Sequence, residues 1–193
     1  MDTREGHMSD IRQIMAVFTM LFLLGCAIQK PVQTVIQTEE TAETYFNRGV
    51  TYSQKGEFGR AISSYNKAIE LNPKFAVAYL DRGYTYSKLG EDERAISDYN
   101  KAIEINPRYA MAFNNRGFAY RKKGDFDRAI SDYSKAIEMN PGYAVAYYNR
   151  GRAYYLKGEY DKSWEDIKKA QDLGYKIPPK FLDDLRKDSR REN

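Results

Sequence analysis

Apolar residues follow three different patterns along this chain. Residues 14–24, IMAVFTMLFLL, form an apolar run whose one polar member is Thr19. Residues 27–41 carry no helical stripe, and Pro31 among Thr and Gln predicts a flexible tether. From residue 42 onwards the spacing turns helical. Phe113, Gly117 and Tyr120 stand four and three apart, which places them on one helix face. Ala129, Tyr133 and Ala136 repeat that spacing on the next helix. A last helix is predicted over 178–190, with Pro178 and Pro179 at its start and Phe181, Leu182 and Leu185 as its apolar face.

The helical pattern recurs. Gly49, Gly83, Gly117 and Gly151 are each 34 residues apart, and so are Gly56, Gly90, Gly124 and Gly158. Pro73, Pro107 and Pro141 keep the step, as do Ala68, Ala102, Ala136 and Ala170. Each period holds two helices. Small residues let them approach, aromatics fill the space between, and the second glycine suits the left-handed residue that ends a helix. Pro141 and its counterparts close the unit, since the residue before a proline is biased out of helix. One such unit cannot bury its own apolar face, so the units must stack.

A 34-residue period of paired helices resembles the tetratricopeptide repeat. The resemblance covers 42–177 as four units, 42–75, 76–109, 110–143 and 144–177, with 178–193 as a capping helix and tail. It implies an all-α, right-handed superhelical solenoid. The fourth unit departs from the pattern: Ser163 replaces an Ala, Ile167 the Tyr, and Tyr175 the Pro. The seventh residue of every unit is Arg where the family commonly has Leu. Asp follows sixteen residues later in three units, so Arg82–Asp98, Arg116–Asp132 and Arg150–Asp166 are expected as partly buried structural ion pairs. The first unit has Arg48 but Ser64.

The same resemblance implies that the first helix of each unit lines a concave face. The fifth, sixth, ninth and twelfth positions there include Phe46, Tyr84, Phe118, Tyr148 and Tyr155 as apolar anchors for a peptide or partner helix. Asn47, Asn115 and Asn149 resemble an asparagine ladder that holds a peptide backbone, which Asp81 interrupts. Asn114, Arg121 and Arg152 complete the candidate peptide-binding set. The competing reading is that these residues follow the repeat consensus and touch only neighbouring units. The family's carboxylate clamp is not carried over, because Phe46 stands where that clamp has its first Lys.

Composition narrows the function. The chain of 193 residues has a formal net charge of +4, with both signs interspersed, so a nucleic-acid partner is not expected. There is one Cys, Cys26, and one His, His7. Neither a Cys/His metal site nor a His-dependent triad can be built from the repeats. No cofactor or small-molecule substrate is expected, and an enzyme would have to work with carboxylates alone. The 17 Tyr and 9 Phe call for a core or a binding surface.

The apolar run is too short for a span of about 20 residues and fits a secretory signal. Leu23-Leu24-Gly25-Cys26 at its end resembles the bacterial lipobox. That resemblance implies removal of 1–25, acylation of Cys26, and a tether over 26–41. Ala27 in place of Asp then implies the outer membrane, facing the periplasm. Two readings compete: a buried helix with Cys26 as an inert apolar residue, and an uncleaved anchor over 14–28 on an inner-membrane or cytoplasmic scaffold. The function expected is a non-catalytic interaction scaffold, lipid-anchored in the cell envelope.

Overall fold

The computed structural model describes residues 40–189. Cys26, the apolar run and most of the expected tether lie outside the described residues. Nine helices and no strand occur among those described. They are α1 (Ala42–Gln54), α2 (Phe58–Leu71), α3 (Ala76–Lys88), α4 (Asp92–Ile105), α5 (Ala110–Lys122), α6 (Phe126–Met139), α7 (Ala144–Leu156), α8 (Tyr160–Asp172) and α9 (Pro179–Ser189). The first eight form four antiparallel hairpins that stack in sequence order into an all-α superhelical solenoid.

Local chemistry sets the boundaries. Thr41 opens α1 by accepting a hydrogen bond from the Thr44 backbone N–H at 3.2 Å, and Asp125 opens α6 by accepting from that of Arg128 at 3.0 Å. Gly124 ends the α5 turn at φ +80°, and the Asp125 N–H reaches back to the Tyr120 carbonyl at 3.0 Å. That is the left-handed glycine cap that satisfies a helix end's spare carbonyls. Between hairpins, Asn72, Asn106 and Asn140 each accept a backbone N–H two residues on, at 3.1 Å, to shape the turn around the following proline or glycine.

The core lies between the two helices of each hairpin and between successive hairpins. Tyr65, Tyr99 and Tyr133 are buried against the glycine of the preceding helix. A Cβ added at Gly83 would stand 2.8 Å from the Tyr99 ring, so this glycine is a packing requirement. Ile167 takes the tyrosine's place in the fourth hairpin and is equally buried.

An arginine ladder ties the hairpins together. The Arg82 Nε and Nη2 donate to both Asp98 carboxylate oxygens at 2.8 and 2.6 Å. Arg116 does the same to Asp132 at 2.8 and 2.7 Å, and Arg150 to Asp166 at 2.8 and 2.8 Å. Each guanidinium also reaches back to the preceding hairpin. Arg82 donates to Asn66 at 2.6 Å, Arg116 to Asn100 at 2.6 Å, and Arg150 to Ser134 at 2.9 Å. A planar fork with donors on two sides suits this bridging role, which a lysine could not fill. No hairpin precedes Arg48 among the described residues; it pairs with Glu40 at 2.6 Å on the exposed surface, while Ser64 bonds its own helix.

The terminal helix does more than cover the last hairpin's end. α9 buries Leu185 in a cluster with Tyr148, Ile167, Ala170 and Ile177. Burial of such a leucine contributes roughly 1.5–3 kcal/mol. Phe181 meets the Tyr148 ring edge-on at 5.9 Å and the Tyr155 ring at 5.4 Å. Asp188 accepts the Tyr155 hydroxyl at 2.6 Å.

Candidate binding surface

The expected surface residues divide into an open set and a covered set. The open set surrounds a groove of about 340 Å³ between the second and third hairpins. α3 supplies Tyr84, Ser87 and Lys88; α4 supplies Tyr99; α5 supplies Asn114, Asn115, Phe118 and Lys122. Tyr84 is 45% exposed and Phe118 37%, high for aromatic rings on a helical face. The Lys88 ammonium lies 5.1 Å from the Tyr84 ring. Lys122 bounds the groove by donating to Asp92 at 2.8 Å and to the Ser87 carbonyl at 3.3 Å.

The asparagines do not form one uniform ladder. Asn149 donates to Asn114 at 3.0 Å, and Asn114 donates to Asn115 at 3.2 Å. Asn114 and Asn149 are buried and satisfy each other, so they join the third and fourth hairpins. Asn115 is half-buried at the groove wall, and Asn47 is exposed on α1, away from it. Phe46 packs on Phe75 at 5.2 Å and Tyr65 at 5.9 Å within the solenoid's first end.

The covered set belongs to α7. Tyr148 is 7% exposed, stacked on Tyr175 at 4.7 Å and met by Phe181. Tyr155 is held by Phe181 and Asp188, and the Arg152 guanidinium lies over the Tyr148 and Phe181 rings at 5.7 and 5.9 Å. Tyr148 and Tyr155 were expected to face a ligand; here they face α9. The reason is physical: α9 buries its own apolar stripe in the angle between α7 and α8, and the aromatic rings of α7 form one wall of it. The Asp188 carboxylate raises the Tyr155 hydroxyl to about 12 by accepting its proton in a hydrogen bond.

Three polar groups near the groove are poorly satisfied. Burial raises the Asp81 carboxyl to about 6, and it has no hydrogen-bond or ion-pair partner among the described residues. The Tyr133 hydroxyl and the Arg121 Nε are both buried without a well-formed hydrogen bond. Burial raises the Tyr133 hydroxyl to about 12, against the opposing charges of Arg121 beside it and Arg152. The Arg121 guanidinium lies over the Phe118 ring at 4.9 Å, and it has no carboxylate partner among the described residues.

Sequence reasoning missed Lys88, Tyr99 and Lys122 as groove residues. Lys122 follows Arg121 directly, and Tyr99 is the consensus core tyrosine, so neither carries a signal of its own. No group of three His, Cys, Asp or Glu able to hold a metal occurs among the described residues, and no helix there is long and apolar enough to cross a membrane.

Comparison with known proteins accords with this architecture. A tetratricopeptide-repeat profile matches residues 42–75 and 110–143, a second matches 64–97 and 133–165, and a TPR-repeat profile matches 83–124. The crystal structure of MamA is similar at 35% identity, with a TM-score of 0.65, over 68% of this chain and 77% of that one. A thermophilic TPR protein of Thermus thermophilus is 27% identical, with a TM-score of 0.62, over 69% of this chain and 75% of that one. The first TPR of Spaghetti (RPAP3), bound to the HSP90 peptide SRMEEVD, is 25% identical, with a TM-score of 0.60, over 61% of this chain and 94% of that one. No curated protein sequence matches. With its 34-residue period, its stacked hairpins and these likenesses, the chain belongs to the tetratricopeptide repeat family.

Proposed function

We propose that the protein is a non-catalytic scaffold whose groove between α3 and α5 holds an extended segment of a protein partner. The observation that carries this reading is the pair of exposed rings, Tyr84 and Phe118, facing a groove with Asn115 on its wall. Aromatic anchors dominate binding energy at interfaces, and an amide suits a peptide backbone. Charge selects the kind of segment. Lys88 on the groove wall and Arg121 against the groove's Phe118 rest on aromatic rings without carboxylate partners, so an apolar segment with acidic residues complements it. The peptide complex of Spaghetti supports a peptide as the ligand class.

The test is selection from a displayed library of random 12-residue peptides by the full-length protein in detergent. Enriched peptides should lose about tenfold or more in affinity when Tyr84→Ala and Phe118→Ala are combined, each anchor being worth over 1 kcal/mol. Unchanged affinity in a variant of normal helicity refutes the groove.

The scaffold is further proposed to be lipid-anchored through Cys26 in a bacterial envelope, at the outer membrane. The support is the apolar run ending in Gly25-Cys26, followed by Ala27. Two or three acyl chains on one cysteine are enough for stable anchoring. The intact mass of membrane-extracted protein should be that of an acylated chain beginning at Cys26, and Cys26→Ala should remain a full-length precursor. Normal processing of that variant refutes the anchor.

A further inference from the structure

Phe118 borders two environments. It lines the groove, and the Arg121 guanidinium lies over its ring at 4.9 Å. Beyond Arg121 lies Tyr133, 0% exposed, with a hydroxyl that lacks a well-formed hydrogen bond. Arg152 of the next hairpin rests on aromatic rings and has no carboxylate partner among the described residues. Elsewhere in this solenoid the arginines of the ladder are each gripped by a carboxylate at 2.6–2.8 Å. Arg108 also lacks a carboxylate among the described residues but is exposed, so two half-buried guanidiniums without one and a poorly satisfied buried hydroxyl stand out. A buried donor left unmet is costly, and such groups in a native structure call for an explanation.

We propose that Arg121 and Arg152, with the Tyr133 hydroxyl beneath them, form a subsite for an Asp or Glu side chain of the bound segment. The subsite rests on the groove reading above and deepens it. Arg121 turns from Phe118 to meet the incoming carboxylate, which uncovers the hydroxyl as a further donor. The carboxylate neutralises two like charges and gives Arg121 a stronger acceptor than the Tyr133 hydroxyl beside it. A side chain is assigned as the source, since the groove reading runs the segment's backbone along Asn115 and Phe118, and Arg121 stands one helical turn beyond Phe118 on α5. These residues are not those of the carboxylate clamp set aside above.

A library-selected peptide is synthesised in three forms: as selected, with its acidic residues changed to Asn or Gln, and with an amidated C-terminus. Binding to the full-length protein is read by fluorescence anisotropy. Neutralising the acidic side chains should weaken binding roughly tenfold to a hundredfold, the range for hydrogen bonds to a charged group. Arg121→Gln and Arg152→Gln should each remove most of that difference. Tyr133→Phe should weaken the acidic peptide several-fold while raising the unfolding temperature of the free protein, because it deletes an unmet buried hydroxyl. A purely structural Tyr133 would not show these opposite directions.

Peptides that depend on Tyr84 and Phe118 but are indifferent to acidic side chains overturn the subsite and leave the groove standing. Sensitivity to C-terminal amidation alone overturns the side-chain assignment. Peptides indifferent to both Tyr84 and Phe118 remove the groove reading itself.

Discussion

The third and fourth hairpins present the same kind of helix to the same side of the solenoid, yet only α5 leaves its aromatic face open. Phe118, at the ninth position of α5, is exposed; its counterpart on α7, Arg152, lies over the Phe181 ring of α9. Both helices carry Asn at the sixth position of the repeat, Asn115 and Asn149. What differs is the neighbour. α5 has another hairpin on either side, whereas α7 has α9. A repeat consensus therefore supplies a surface, and the end of the array decides how much of it stays available to a ligand.

Changing Leu185 to Ala attacks the cause of the difference and should have the largest effect. Loss of a buried leucine costs about 2–5 kcal/mol. The urea midpoint should fall accordingly, and the Tyr155 absorbance titration should return towards an ordinary tyrosine, since Asp188 no longer holds its hydroxyl. An unchanged midpoint would mean that α9 does not hold the fourth hairpin closed.

On the open side, Asp81→Asn should stabilise. Burial raises this carboxyl in the folded state to about 6, above its ordinary value of 3.8. The folded state therefore holds the proton more tightly. Its contribution is intact below about pH 4 and is lost as pH rises through 6. Removing the charge should raise stability at pH 7 by about 1–2 kcal/mol, after discounting for the part of the side chain that solvent still reaches. The gain should vanish near pH 3 in paired urea titrations.

Tyr155→Phe tests the closed side more gently, by deleting a single hydrogen bond at a cost of about 1 kcal/mol. The folded-state hydroxyl is raised to about 12. Its contribution is present below the unfolded tyrosine's range near 10 and fades as pH climbs from there to 12. The wild-type and Phe variant should therefore converge in stability across that interval.

Much of this architecture was legible from spacing. The helix pairs, their glycine contacts and the sixteen-residue Arg–Asp relation follow from a strict period, because contacts inside one hairpin have a fixed separation in sequence. Arg82, Arg116 and Arg150 also reach back to Asn66, Asn100 and Ser134, and this half was not legible. It depends on how one hairpin sits on the previous one. Tyr148 and Tyr155 were misjudged for a related reason. The fifth position is buried in the second and third units as well, at Leu80 and Asn114, and the landing place of α9 is a tertiary fact. Leu80, at the same position as Tyr148, is buried without any terminal helix, so that position is open to solvent in neither hairpin.

The backward reach of the arginines also sets a direction for growth. Each unit offers an Asn or Ser acceptor to the arginine of the unit after it, but the fourth offers Lys168 at that place. A fifth copy appended at residue 177 would bring its guanidinium against an ammonium, whereas a duplicate inserted between the second and third units would find every rung matched. Lengthening of this array by duplication is thus favoured in its interior and blocked at its trailing edge.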